Sequence, residues 1–292
     1  MITKADKRDR LRRGLTLVII IFCVMVPMFY LNFGYTYHRH ALARNLELEI
    51  VKRPKEDLYA LTKWMGDNLN LVSKEVNRDE NGVIIPALSI DEVLQEADLA
   101  YAHTARNSQH AFIKDHLYGG HVRVKGMSKP SSHYWSYTGI VGIYVPFFVE
   151  STVNTAATYT AVISTSLHEV AHSYGFARED EANFFSFYTG IHHPHPDFRY
   201  GAWLKAYIHT ANALYKQDKD MHSELLGQLD SGIRAEMNHR SAYWKQFEGP
   251  VKEVSTQINH GYLKSNFQES GVKSYGEVVD LFLAYYFDVI KD

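Results

Sequence analysis

The sequence predicts a mainly α, α+β protein: an N-terminal transmembrane helix, then a mostly helical domain with a small sheet edge beside one helix of unusual composition. Three observations carry this. Residues 14–37 (GLTLVIIIFCVMVPMFYLNFGYTY) contain no charged side chain. Apolar residues then recur at helical spacing through most of the chain. One short β-branched and aromatic stretch, residues 138–149 (TGIVGIYVPFFV), interrupts that pattern just ahead of the segment HEVAH, His168–His172.

The first element is the apolar run. About 20 apolar residues in a helix cross the hydrocarbon layer of a bilayer. Lys4, Lys7, Arg8, Arg10, Arg12 and Arg13 precede it, whereas only Arg39 and Arg44 follow before Lys52. This asymmetry predicts a cytoplasmic N-terminus. The expected organisation is a basic cytoplasmic tail (1–13), a transmembrane signal anchor (14–37), a juxtamembrane linker (38–54) and an extracytoplasmic domain (55–292) of a single-pass membrane protein. Tyr30, Tyr35 and Tyr37 suit the outer interface. The alternative is a signal peptide cleaved at Ala41-Leu42-Ala43, but the run is long and those small residues come late.

The remaining elements follow in order. Leu58, Leu61, Trp64, Met65, Leu69 and Val72 predict an amphipathic helix over 55–77, and RDENGVI (78–84) a turn. Ser89 with Glu92 three residues on is a capping box opening a helix to about 108. Residues 117–135 read as loop with one short strand. The stretch 138–149 reads as a strand, placed at an edge or bulge by Pro146. A helix over about 156–174 follows, capped by Asn154 or Thr155 and stopped by Gly175, and a second over about 178–190. Residues 191–200 (IHHPHPDFRY) read as loop. Helices at 201–217, 220–229, 231–265 with a break at Gly249-Pro250, and 274–290 complete the chain.

Composition bounds the chemistry. The 292 residues are 46% hydrophobic and 22% charged, with a formal net charge of -2, which points to no nucleic-acid partner. The one cysteine, Cys23, lies in the apolar run. An intrachain disulfide, a cysteine-based zinc knuckle and a catalytic cysteine in the soluble part are therefore excluded. The 16 histidines suit metal chemistry, although scattered surface imidazoles account for most of them. The cluster His192, His193 and His195 is read as an exposed, non-functional loop.

His168 and His172 stand four apart, so both imidazoles leave one face of a helix and can share one divalent metal. Glu169 lies part of a turn round, placed to reach a metal-activated water as general base. Ala161, Ser164 and Thr165 keep that face small, while Val162, Ile163, Leu167, Val170 and Tyr174 form the core side. A tetrahedral catalytic zinc needs a third protein ligand. Glu179, on the next helix, is the expected one, with Asp180 and Glu181 as alternatives. All three acids also suit a helix N-terminal turn for electrostatic reasons alone. Asn183, one turn beyond Glu179, is expected to hydrogen-bond a ligand histidine as an outer-shell partner. His168–Arg178 has the form HExxHxxGxxR, and an arginine in the last position cannot bind metal, which points away from metzincins. Tyr200, Tyr262, Tyr275 and Arg199 are the oxyanion candidates.

HEVAHSYGFAREDEANF resembles the gluzincin-type peptidases, including the membrane-bound CAAX-prenyl protease group. With GIYVPFFVESTVNT and FRYGAWLKAYIHTANALY it is similar to an uncharacterised bacterial membrane family, domain of unknown function 3810. That similarity extends over nearly the whole chain from about residue 30. The resemblance implies a zincin-like domain, with His168, His172 and Glu179 as ligands of one Zn2+ and Glu169 as catalytic base. Relatives carry more membrane spans than the single one expected here. The functional expectation is a membrane-anchored zinc metallopeptidase acting on a peptide or protein substrate. The alternatives are a zinc amidase acting on cell-wall peptides and an inactive, membrane-tethered interaction protein with a structural metal site.

Overall fold

The computed structural model describes residues 4–117, 122–266 and 277–291, with side chains from residue 7 onward. The first helix, α1 (Lys4–Asn32), takes in both the basic tail and the apolar run and contains Pro27. Its segment Lys7–Asn32 is long and apolar enough to cross a membrane, and no residue of its most apolar 18-residue stretch is buried in the chain. The apolar part stops earlier than expected. Residues Gly34–His38 form a 3-10 helix whose Gly34, Thr36 and Tyr37 are buried. Phe33 and Tyr37 pack with Ala177, far along the chain.

The stretch 38–54 corrects the linker reading. It contains α2 (Leu42–Asn45), and Leu42, Ala43, Leu46 and Leu48 belong to the main hydrophobic core. Four apolar residues in a short segment leave water at about 25 cal/mol per Å² of apolar surface, enough to hold it on the domain.

α3 (Lys55–Val72) buries Leu58, Leu61, Met65, Leu69 and Val72 as its spacing dictates. α4 (Ile90–Asn107) opens on the complete Ser89–Glu92 capping box. α5 (Ala111–Leu117) precedes β1 (Val124–Gly126). The next segment departs from expectation: Lys129–Ser136 is a helix, α6, with proline in its first turn. The expected strand over 138–149 is shorter and folds back on itself. β2 (Gly142–Val145) turns through Pro146 and Val149 into β3 (Glu150–Val153). The sheet order is β1-β3-β2, with β3 parallel to β1 and antiparallel to β2.

α7 (Tyr159–Ser173) is the central element. It packs on α4, α8, α9 and the sheet, and buried side chains from three of them bind its carbonyls. Tyr101 donates to Leu167 O at 2.7 Å, Ser186 to Ser164 O at 2.7 Å and Ser151 to Glu169 O at 2.8 Å. α8 (Glu179–Ile191) and α9 (Pro196–Gln217) complete this layer. α10 (Lys219–Gly227), α11 (Ser231–Lys245), α12 (Pro250–Ser265) and α13 (Val278–Tyr285) follow, and the expected break at Gly249-Pro250 separates α11 from α12. The first residues of the last expected helix, 274–276, lie outside the described residues. The protein is mostly helical with one small sheet and one N-terminal apolar helix.

A candidate metal centre on the HEVAH helix

The centre is built by the way α7 ends. Gly175 has φ +84°, the left-handed region that glycine enters without strain. Gly175 N–H then donates to His172 O at 2.9 Å, and Phe176 N–H to Ala171 O at 3.1 Å. That pair of bonds is a Schellman turn. The turn brings the Phe176 carbonyl over the helix end, where it accepts from His172 Nδ1 at 2.7 Å. With the proton held on Nδ1, the Nε2 lone pair of His172 is directed at the cluster. The turn also sends the chain straight into α8, whose first residue is Glu179.

The ligating atoms converge. His168 Nε2 and His172 Nε2 are 3.1 Å apart. Glu179 places Oε2 3.2 Å from His168 Nε2 and Oε1 3.9 Å from His172 Nε2. Among the described residues this trio is the one group of histidine and carboxylate side chains with metal-site spacing, all atoms lying within 4.8 Å of one another. A tetrahedral zinc with bonds of about 2.0–2.1 Å has neighbouring ligand atoms about 3.3 Å apart, so the donor set and spacing fit. The buried Glu169 Oε2 has no hydrogen-bond partner.

Burial sets the proton affinities. It pushes His172 down to about 4, with His168 adding to the effect. Burial also opposes charge on His168, but the adjoining Glu179 carboxylate outweighs it and the net shift is upward. Burial raises the Glu169 carboxyl to about 8, with His168 opposing and Glu179 adding. A carboxylate this poorly solvated binds a proton readily, as a general base must.

Glu169 lies against β2. A Cβ on Gly142 would overlap Glu169 Oε1 and sit 2.7 Å from Glu169 Cγ and 2.5 Å from Thr165 Cγ2. Only glycine lets the strand approach so closely. Val141 O accepts from Asn154 N–H at 2.7 Å. Pairing alternates in an antiparallel ladder, so the peptide groups of Gly142 and Tyr144 face away from β3, along the outer edge beside Glu169.

The other expected residues are placed as follows. Asp180 pairs with Arg178 at 3.6 Å, and Glu181 accepts from Leu42 N–H at 2.7 Å, so neither alternative joins the trio. Asn183 corrects the outer-shell expectation: its Nδ2 donates to Glu179 O at 2.7 Å. It secures the first turn of α8, and the Phe176 carbonyl takes the part of histidine orienter. Of the oxyanion candidates, Tyr200 is fully buried beneath the Arg78 guanidinium, and Arg199 binds His193 O, Pro194 O and Glu75. Tyr275 lies outside the described residues. Tyr262 alone is near enough for the Glu179 charge to act on it, and its hydroxyl is 3.3 Å from that of Tyr37.

The histidine-rich loop is partly other than expected. His192 is exposed, but His193 is 3% exposed and stacks on Phe198 at 4.1 Å. His195 caps α9, whose first turn lies inside the stretch read as loop.

Sequence reading missed a basic group on the side of α7 away from the sheet. Lys205 and His209, one turn apart on α9, and Arg240 on α11 act on one another electrostatically. Lys205 also feels Glu179, and His209 feels His168. Burial lowers Lys205 to about 7, with Arg240 adding and Glu179 opposing. The i, i+4 spacing of Lys205 and His209 was the available signal. An open groove lined by Leu94, Asp98, Val122 and Lys125 lies at the opposite edge of the sheet from β2.

Comparison with curated proteins and with solved structures finds no match. A family profile described as "Protein of unknown function (DUF3810)" matches residues 1–283, from the apolar N-terminal helix through the metal-type trio and into α13. The chain belongs to that family.

Proposed function

We propose that the protein is a membrane-anchored zinc metallopeptidase, with His168, His172 and Glu179 holding one zinc ion and Glu169 serving as general base. One observation carries the reading. Three ligand atoms lie within 4.8 Å of one another, and a buried carboxylate with a partnerless oxygen stands beside them against a strand. A structural metal site has no use for that fourth group.

Zinc bound there would supply Lewis acidity and a water acidified towards neutrality. The chain's own residues do the rest. Glu169 Oε2 accepts the proton of the attacking water and returns it to the leaving amine. The outward peptide groups of Gly142 and Tyr144 align an extended substrate by strand addition. Lys205 and Arg240 give the far wall a positive potential that favours the developing oxyanion. The burial of Leu42 and Ala43 supports retention of α1 as an anchor, because cleavage there would remove core residues. The basic flank supports a domain outside the cytoplasm.

The test is elemental analysis of the full chain in detergent. Wild type is expected to carry one zinc per chain, and His172→Ala and Glu179→Ala none. A peptide library should be hydrolysed by wild type and not by Glu169→Gln. A folded wild type without zinc would overturn the assignment.

A further inference from the structure

The trio sits next to the point where the chain leaves the apolar helix. As helix, the uncharged stretch Gly14–Asn32 is about 28 Å long, close to the roughly 30 Å of a bilayer's hydrocarbon layer. Phe33 is the next residue. Its ring centroid is 6.3 Å from that of His172 and 5.0 Å from that of Tyr144. One side chain therefore separates a metal-ligating histidine from the end of the span.

Two exposed apolar features flank this exit, and each touches α1. The β2–β3 turn carries Phe148 (77% exposed) and Val149 (60% exposed), and Asn32 Nδ2 donates to Pro146 O in that turn at 3.4 Å. On the other side, α12 exposes Val251, Val254, Ile258 and Tyr262, whose spacing lays them in one stripe. Tyr262, the last of them, meets Phe29 inside the span, with centroids 6.5 Å apart. Both features thus continue the apolar surface of α1 outward. Exposed apolar patches contiguous with a membrane helix mark a lipid-facing surface.

We propose that the metal centre lies at the bilayer surface, with Phe148, Val149 and the α12 stripe seated in the lipid beside it. The polypeptide it accepts is then one held at that surface: a segment next to a membrane span or lipid anchor. The surface follows from the geometry alone; its use in cleavage rests on the metallopeptidase reading.

The experiment places a fluorescent label on single cysteines in the full chain, in a Cys23→Ser background, reconstituted in phosphatidylcholine–phosphatidylglycerol vesicles. Phe148→Cys, Val254→Cys and Ile258→Cys are compared with Ile85→Cys. Ile85 is also apolar and exposed (47%) but sits at the other end of α7, since Ile84 N–H and Thr160 Oγ1 share the Glu236 carboxylate. Nitroxide-bearing lipid is expected to quench the first three labels several-fold more than the fourth, and aqueous iodide to do the reverse. Equal quenching at all four would overturn the proposal. In the same vesicles, a peptide library tethered to a transmembrane anchor by a short spacer should be cleaved in preference to one on a long flexible spacer. Equal cleavage of both would overturn the substrate class. Cleavage of neither would count against the peptidase reading, while the quenching still decides the surface.

Discussion

Two regions of this protein gather histidines beside carboxylates, and they do opposite things with them. On α7 and α8, two Nε2 atoms 3.1 Å apart face the Glu179 carboxylate. In the loop entering α9, His192 Nδ1 bonds Tyr188 O, His193 Nδ1 accepts from His195 N–H, and His195 Nδ1 accepts from Asp197 N–H. The loop imidazoles spend their ring nitrogens on the local backbone. The α7 imidazoles converge on one point, because helical spacing puts them on one face and the Schellman turn fixes one of them from behind. Histidine density alone does not bring ring nitrogens together; helical spacing and the turn behind His172 do.

The comparison breaks if ligand and loop substitutions have similar effects on metal content. His168→Ala, His172→Ala or Glu179→Ala should weaken zinc binding by more than the roughly 10–100-fold that an outer-shell partner is worth. His192→Ala should leave zinc unchanged, as read by competition with a chromogenic chelator. Glu169→Gln separates binding from chemistry: zinc stays, and hydrolysis falls by about 10²–10⁴-fold, the usual worth of a general base. Gly175→Ala probes the turn behind the site. A Cβ there is strained at φ +84° and lies 3.0 Å from Arg39 Nη1. The expected cost is about 1–3 kcal/mol of stability, with a loss of zinc affinity at the scale of an outer-shell partner, because the Phe176 carbonyl moves.

Much of this arrangement was legible in the sequence. The i, i+4 histidines, the glycine stop and the acid opening the next helix are local signals, and local signals survive without a fold. What escaped reading depended on partners far along the chain. Asn154 or Thr155 was expected to cap α7, but Asn154 accepts from Ala156 N–H in its own turn, Thr155 donates to Met127 O, and the helix begins at Tyr159. α6 was hidden by its Ser, His and Lys content, although Pro130 at its first turn was a helix-start signal. Gly142 looked like an ordinary strand residue until Glu169 was found against it. Lys205 and Arg240 belong to helices whose shared face is set by tertiary packing alone.

The loop can be sharpened by pH. Burial, with His195 and His103 adding, pushes His193 down to about 4; Glu96, 3.5 Å away but 40% exposed, does not offset it. A base whose folded-state value lies below its unfolded value of about 6.5 leaves the fold fully stable above that pH. Stability is then lost as pH falls from about 6.5 to about 4, because the unfolded chain takes up the proton first. The full shift corresponds to about 3 kcal/mol as an upper limit. His193→Gln should flatten that part of the stability–pH curve relative to wild type, measured by urea unfolding, with zinc content unchanged.

The smallest effect is the most discriminating one, because it asks whether a histidine can be replaced by chemistry that does not bind zinc. His195 Nδ1 is 3.2 Å from Asp197 N, an N-cap acceptor for α9. Removing a cap costs about 0.5–2 kcal/mol, so His195→Ala should lower stability by an amount near the lower end. His195→Asn should restore it, because an amide oxygen caps as well as an imidazole nitrogen. Asparagine is the better test than aspartate, since Asp197 is buried two residues on and a second carboxylate would repel it. Rescue at 195 by asparagine would show that the loop needs only a hydrogen-bond acceptor there. Failure of the rescue would mean that the His195 ring contributes through packing, and the distinction between the two regions would then rest on the ligand variants alone.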